Sequence, residues 1–205
     1  QHAVHFARAL PDLDWQPTNL FSGELNITRL HFNGLEVQLP PGDSTPSTPE
    51  PLVLPDIRLP LAVNVSDLQG RAIRIQLPNA DAILFDAINF NARTEADGLS
   101  IETLEIRAAQ GELRLSGRLH PMGGYPLQIQ LDWQLLTPAY GAFAGRGEIS
   151  GELRDRLQFT QTITGAAMLD LSGEVRQPLT PQPAWSAQAA LNVADLKPFA
   201  PELAG

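Results

Sequence analysis

The sequence predicts an antiparallel all-β fold with very little helix, one face of the sheet being kept apolar. Three observations carry that expectation. Apolar and polar residues alternate with period two over most of the chain, the signature of half-buried strands. The 205 residues include 18 Pro and 16 Gly, which punctuate a chain into short extended pieces rather than long helices. No 3.6-residue apolar period lasts longer than two turns.

The elements follow in order. His5 lies in a strand-like Val4–Phe6 alternation, and Pro17 to Phe21 is a short helical candidate. Leu25 and Ile27 alternate with Glu24 and Asn26 until the phase slips near Arg29 to give Leu30 and Phe32, as a β-bulge would produce. Asn33-Gly34 then separates this run from Leu35, Val37 and Leu39, a hairpin signal because both turn positions favour φ > 0. Ile73, Ile75 and Leu77 form another run; Ile83 and Phe85 give way out of phase to Ile88 and Phe90, and Leu99 and Ile101 pass to Leu104 and Ile106. Leu113 and Leu115 run on towards Leu119. The clearest strand is Leu127, Ile129, Leu131, Trp133 and Leu135, with Gln128, Gln130, Asp132 and Gln134 between. Trp185, Ala187, Ala189, Leu191 and Val193 repeat the pattern, and a second short helix is expected from Leu196 to Leu203. Roughly a dozen strands result.

Residues 1–205 read as one section of a longer sheet, since the chain starts at Gln1 without Met and stops at Gly205. Seven prolines fall within residues 40–60, so 40–52 is expected to be a mobile loop between strands. Gly-Glu-aliphatic triplets recur at Gly23, Gly111, Gly147, Gly151 and Gly173. Each is expected to open a strand after a turn, either by convergent turn chemistry or as a repeated hairpin module.

Composition excludes several functions. A formal charge of −9, with Lys197 the only lysine, argues against nucleic acid and against electrostatic docking on anionic lipid. With no Cys there are no disulfides, thiolate metal sites or cysteine nucleophiles. No signal peptide and no apolar run of about 18 residues appear. His2, His5, His31 and His120 have no metal-ligand spacing, and no Gly-x-Ser-x-Gly elbow occurs. Asp12, Asp14, Asp81 and Asp86 are not spaced as a calcium loop. The glycines of Gly145 to Gly151 lack a dinucleotide-binding context and read as a strand-turn cluster. Asn26-Ile-Thr and Asn64-Val-Ser are formal glycosylation triplets. No enzyme activity, catalytic residue, metal or cofactor is therefore expected.

Polar faces rich in Gln, Arg, Glu and Asp require water on one side of the sheet and something apolar on the other. Either two such sheets cover each other as a sandwich, or one face stays open as a groove. The small residues Ala187, Ala189 and Ala190 fit two closely packed faces or a groove with room left in it, and taken alone they favour the sandwich.

Leu13-Asp-Trp15-Gln-Pro17 through Gly23-Glu-Leu25-Asn-Ile27 to Leu30-His-Phe32-Asn-Gly34-Leu35-Glu-Val37 resembles the start of AsmA-like envelope proteins. Gly111-Glu-Leu113-Arg-Leu115-Ser-Gly117, Tyr125-Pro-Leu127-Gln-Ile129 and Leu191-Asn-Val193-Ala-Asp195-Leu196-Lys-Pro198 resemble the TamB family, as does Leu99-Ser-Ile101 to Leu104-Glu-Ile106. That resemblance implies an elongated antiparallel sheet curled into a repeating β-groove in the periplasm of a Gram-negative bacterium. It further implies an anchor in the inner membrane outside this fragment, phospholipid as cargo between the two membranes, and a part in outer-membrane protein assembly. An outer-membrane barrel partner, TamA, would engage a region also outside it. The expected lipid-binding floor is then Leu113, Leu115, Leu127, Ile129, Leu131, Trp133, Leu135, Ala187, Ala189, Leu191 and Val193. The alternative is a periplasmic scaffold, or chaperone-like β protein, that templates barrel or autotransporter strands by β-augmentation.

Overall fold

The structure is a computed structural model that describes residues 5–7, 11–38, 52–56, 62–77, 80–95, 98–138, 141–165 and 167–193. The chain is all-β, as expected. The strands are β1 (His5–Ala7), β2 (Asp12–Trp15), β3 (Glu24–Asn33), β4 (Glu36–Gln38), β5 (Ala62–Gln76), β6 (Ile83–Glu95), β7 (Gly98–Ala108), β8 (Gly111–Leu119), β9 (Pro126–Thr137), β10 (Gly141–Glu152), β11 (Arg156–Thr164), β12 (Met168–Arg176) and β13 (Ala184–Asn192). The expected helix at Pro17 is a 3₁₀ helix, Pro17–Ser22, closed by Gly23 in the left-handed region at φ 79°. The helix expected at 196–203 and nearly all of the expected loop at 40–52 lie outside the described residues. No described helix is long and apolar enough to cross a membrane. The chain divides into two compact units, residues 1–50 with 58–109, and residues 51–57 with 110–205.

The first unit is organised around β5. One side of β5 pairs antiparallel with β6, which pairs antiparallel with β7. Its other side pairs parallel with β3 and β4, and β2 and β1 add antiparallel to β3 and β4. The hairpin expected at Asn33-Gly34 therefore does not form. Only Gly34 has positive φ (75°) among those two residues, whereas the two-residue hairpin turn needs both. The ladder instead runs straight through, with Gly34 N donating to Arg71 O at 3.0 Å and Arg74 N donating to Leu35 O at 2.8 Å. β3 and β4 thus act as one strand, kinked at Gly34. Residues 39–61 supply the dozen or more residues that a crossover to a parallel neighbour requires.

Two of the phase slips read from sequence, near Arg29 and between Ile101 and Leu104, are bulges, and they align. Trp15 opposes Ile27 while Asp14 opposes Arg29, leaving Thr28 extra in β3. At the same level β5 shifts register between Val65 and Leu68, and β7 carries an extra residue between Ile101 and Thr103. A row of bulges across neighbouring strands bends and twists the sheet at one level. The slip between Phe85 and Ile88 has a different cause: Ala72, with φ 50°, sits opposite that break and turns β5 over with β6. Ile73 (4% exposed), next to Ala72, and Ala92 (3%), opposite Val65 at the bulge row, are buried. The Phe32 ring lies across Gly70, so close that a Cβ there would stand 2.5 Å from it.

The second unit is an antiparallel meander, β8 to β13, each strand paired with the next. Its register runs without a bulge. At one end, three connections bond to each other: Leu153 N donates to Tyr125 O and Arg154 N to Gly124 O, both at 3.1 Å, and Gln177 N donates to Asp155 O at 2.6 Å. Residues 52–56 strap this end. Leu52 N donates to Leu179 O at 2.8 Å, the Tyr125 hydroxyl donates to Pro55 O, and Arg154 reaches Leu54 O and, at 3.3 Å, Asp56 Oδ1. Tyr125 is 4% exposed and lies under the Arg154 guanidinium, 5.0 Å from its ring centre.

Candidate functional site

Directly opposed residues of antiparallel strands share a face, so the unbroken register of β8–β13 fixes which side chains meet. Four rows cross all six strands. They are Leu119–Leu127–Gly151–Leu157–Val175–Trp185, Gly117–Ile129–Ile149–Phe159–Gly173–Ala187, Leu115–Leu131–Gly147–Gln161–Leu171–Ala189 and Leu113–Trp133–Gly145–Ile163–Leu169–Leu191. With adjacent strands about 4.8 Å apart, this face is about 24 Å wide across the strands.

Within this unit nothing described covers it as a second sheet would. Ile73, Ala92 and Tyr125 are the only buried apolar residues described, and none stands on this face. Leu113, Leu115, Leu127, Ile129, Leu131 and Trp133 are half-buried, while Leu135, Ala187, Ala189 and Leu191 are exposed. The first ten floor residues expected from sequence are thus brought onto one side; Leu135 stands one row beyond Trp133, opposite Phe143. Val193 is half-buried just past the end of β13. Sequence alternation had not singled out Phe143, Ile149, Phe159, Ile163, Leu169 or Leu171, although all fall in the same phase.

Glycines explain how these side chains are half-buried with no layer above them. Strand side chains ordinarily stand roughly perpendicular to a sheet; here several lie flat over a glycine of the next strand. The Trp133 indole lies across Gly145, the Phe159 ring across Gly173, and the Gln161 amide across Gly147. A Cβ would meet Phe159 at 2.7 Å from Gly173 and the end of the Gln161 amide at 2.6 Å from Gly147. This pattern also corrects the expectation that every Gly-Glu-aliphatic triplet opens a strand. Gly23 and Gly111 do, but Gly147 and Gly151 lie in β10 and Gly173 lies inside β12. Likewise Gly145 to Gly151 form part of a strand, not a strand-turn cluster.

The opposite face is solvated and internally paired. Asp132 accepts from Arg146 Nε at 2.6 Å, which raises the Arg146 pKa above its ordinary value. Gln128 Nε2 donates to Glu148 at 2.9 Å, Thr162 Oγ1 to Asp170 at 2.8 Å and Arg176 Nε to Glu174 at 2.7 Å. Two shallow hollows, of about 640 and 480 Å³, lie on this polar side, lined by Arg114, Asp132, Arg146 and Thr162 and by Gln158, Thr160, Ser172 and Gln188 respectively. The first hollow mixes opposite charges, and the second holds one carboxylate, Glu174, among neutral residues. Among the described residues no group of three or more His, Asp or Glu is placed to hold a metal.

Fold and face together define an open-sheet β protein, apolar on one side and solvated on the other. The chain belongs to the TamB family: the family described as TamB, N-terminal domain, matches residues 22–197. No solved structure matches the chain.

Proposed function

We propose that this chain is a section of a conduit across the bacterial envelope, its apolar face shielding phospholipid acyl chains as they pass between the inner and outer membranes. The observation that carries the reading is the uncovered apolar face, continuous in register from β8 to β13. Exposing two acyl chains to water costs about 0.8 kcal/mol per CH₂, on the order of 20 kcal/mol in total. A continuous apolar floor removes most of that barrier without making or breaking a bond, so the role is non-enzymatic. Family membership supports a periplasmic setting, tethering to the inner membrane, and a place in the translocation and assembly module beside TamA. The tether and the TamA contact would lie outside this chain.

Native mass spectrometry of the purified chain, with and without Leu131→Asp, tests the reading. Phospholipid carried by the wild type and lost in the variant, with far-UV circular dichroism unchanged, is the expected result. Wild-type protein free of lipid, or a variant that unfolds outright, would identify the face as a closed core instead. One observation favours strand pairing as a second reading: among the described residues β13 pairs only with β12 and is exposed along its whole length. Crosslinks from the free edge of β13 to barrel strands, with none to lipid at Leu131, would select that scaffold role.

A further inference from the structure

Gln161 is the one polar side chain in the four rows that cross β8–β13. It stands in β11 between Phe159 and Ile163, at a position the alternation reserves for apolar residues. Its surroundings are built around it. Gly145 and Gly147 leave β10 bare at this level, Trp133 reaches over Gly145 from β9, and Gln161 reaches back over Gly147 from β11. The two side chains meet above β10. Trp133 Nε1 and the backbone N–H of Arg146 both donate to the same end of the amide, each at 3.0 Å, which makes that end the oxygen. Two donors fixing the oxygen leave the Gln161 NH₂ group held at the other end of the amide, over Gly147.

Resting on the acyl-chain reading above, we propose that this NH₂ group is a hydrogen-bond donor for the ester carbonyl of a diacyl lipid. The chemistry of the face selects that acceptor. None of the four rows contains a cation, so a head-group phosphate finds no counter-charge on it. A neutral donor on an apolar floor suits a neutral acceptor that lies where apolar chain meets polar head, and the glycerol esters are such acceptors. The clasp also supplies what a donor on an exposed floor needs: an amide held in one orientation before the ligand arrives. Gln161 is then a specificity-determining residue, and Trp133 and the glycine pair are positioning elements.

Two phosphatidylcholines with the same oleyl-length chains, one diester and one diether, distinguish this role from simple apolar binding. Each is titrated against a fluorescent fatty-acyl probe bound to the full chain. One net hydrogen bond corresponds to a preference of roughly two- to ten-fold, and the wild type is expected to favour the diester by that factor. Gln161→Leu and the closer isostere Gln161→Met are expected to bind both lipids equally, with diether affinity unchanged. Trp133→Phe is expected to reduce the preference by releasing the amide. A wild type indifferent to the linkage, or variants that keep the preference or weaken both lipids alike, would overturn the proposal while leaving the acyl-chain reading intact. Failure of either lipid to displace the probe would instead remove that reading and the proposal with it.

Discussion

β5 and β9 are both long, alternating strands, and they treat their apolar residues differently. Along β5 the apolar phase changes twice, at the Ser66–Asp67 bulge and at Ala72; Ala92 is buried opposite the first change and Ile73 beside the second. Along β9 the phase never changes from Leu127 to Leu135, and no side chain of that strand is buried. The first unit buries an apolar residue at each break in its alternation. In the second, side chains are laid over glycines and the face stays open. An apolar face can therefore be half-buried without a covering layer, which leaves it available to a ligand.

Truncation separates the two strategies most strongly. Ile73→Ala leaves a cavity at a buried position and is expected to cost about 3 kcal/mol, whereas Leu131→Ala on an open face leaves no enclosed void and is expected to cost about 1 kcal/mol or less. Urea denaturation of both variants measures the difference; equal costs would mean that β9 is as enclosed as β5. Overpacking gives a smaller contrast. In Gly70→Val the new side chain meets Phe32 at 2.5 Å and Ile73 at 2.9 Å, both hemmed in, for an expected loss of about 2 kcal/mol. Gly145→Val displaces Trp133 into open space, for about 1 kcal/mol. A red shift of Trp133 fluorescence should accompany that change.

Tyr125→Phe removes the hydroxyl that donates to Pro55 O, an expected loss of about 1 kcal/mol. It should read out locally, as faster hydrogen exchange at the Leu52 amide. The smallest effect belongs to the first unit's bulge row. Asp67 accepts from Gln69 Nε2 at 2.9 Å and pairs with His31 Nε2 at 2.7 Å. Those hydrogen bonds hold its carboxyl below the ordinary value of 3.8. A carboxyl depressed in the folded state adds stability above its unfolded pKa, and that stability is lost as pH falls through the folded value. Asp67→Asn should therefore flatten the stability profile of the first unit below about pH 4, and only slightly, because the pair is partly exposed.

Much of the second unit was legible because period-two alternation and an unbroken register are the same fact seen locally and globally. Leu127 to Leu135 and Trp185 to Leu191 could be placed on one face before any pairing was known. The first unit was less legible. Asn33-Gly34 is a strong local turn signal, and it lost to a long-range pairing that no local window contains. The bulges at Thr28 and in β7 were visible as phase slips, but their alignment across strands was not, because register is a property of pairs. Gln161 carried a faint signal, a polar residue in the apolar phase between Phe159 and Ile163. What it does depends on Gly145, Gly147 and Trp133, which lie on two other strands. The strap of residues 52–56 left no periodic trace, since it is held by scattered hydrogen bonds that Leu52 donates and that Leu54, Pro55 and Asp56 accept.

Sidedness is the property on which the proposed role turns, and adjacent residues of β9 test it. A photo-crosslinker at Leu131 faces the apolar rows, and one at Gln130 faces the solvated side. Irradiation of the chain purified from membranes of the expressing cells is expected to give phospholipid adducts at Leu131 and none at Gln130. Equal yields at the two positions, or adducts confined to Gln130, would contradict an acyl-chain floor on the apolar face.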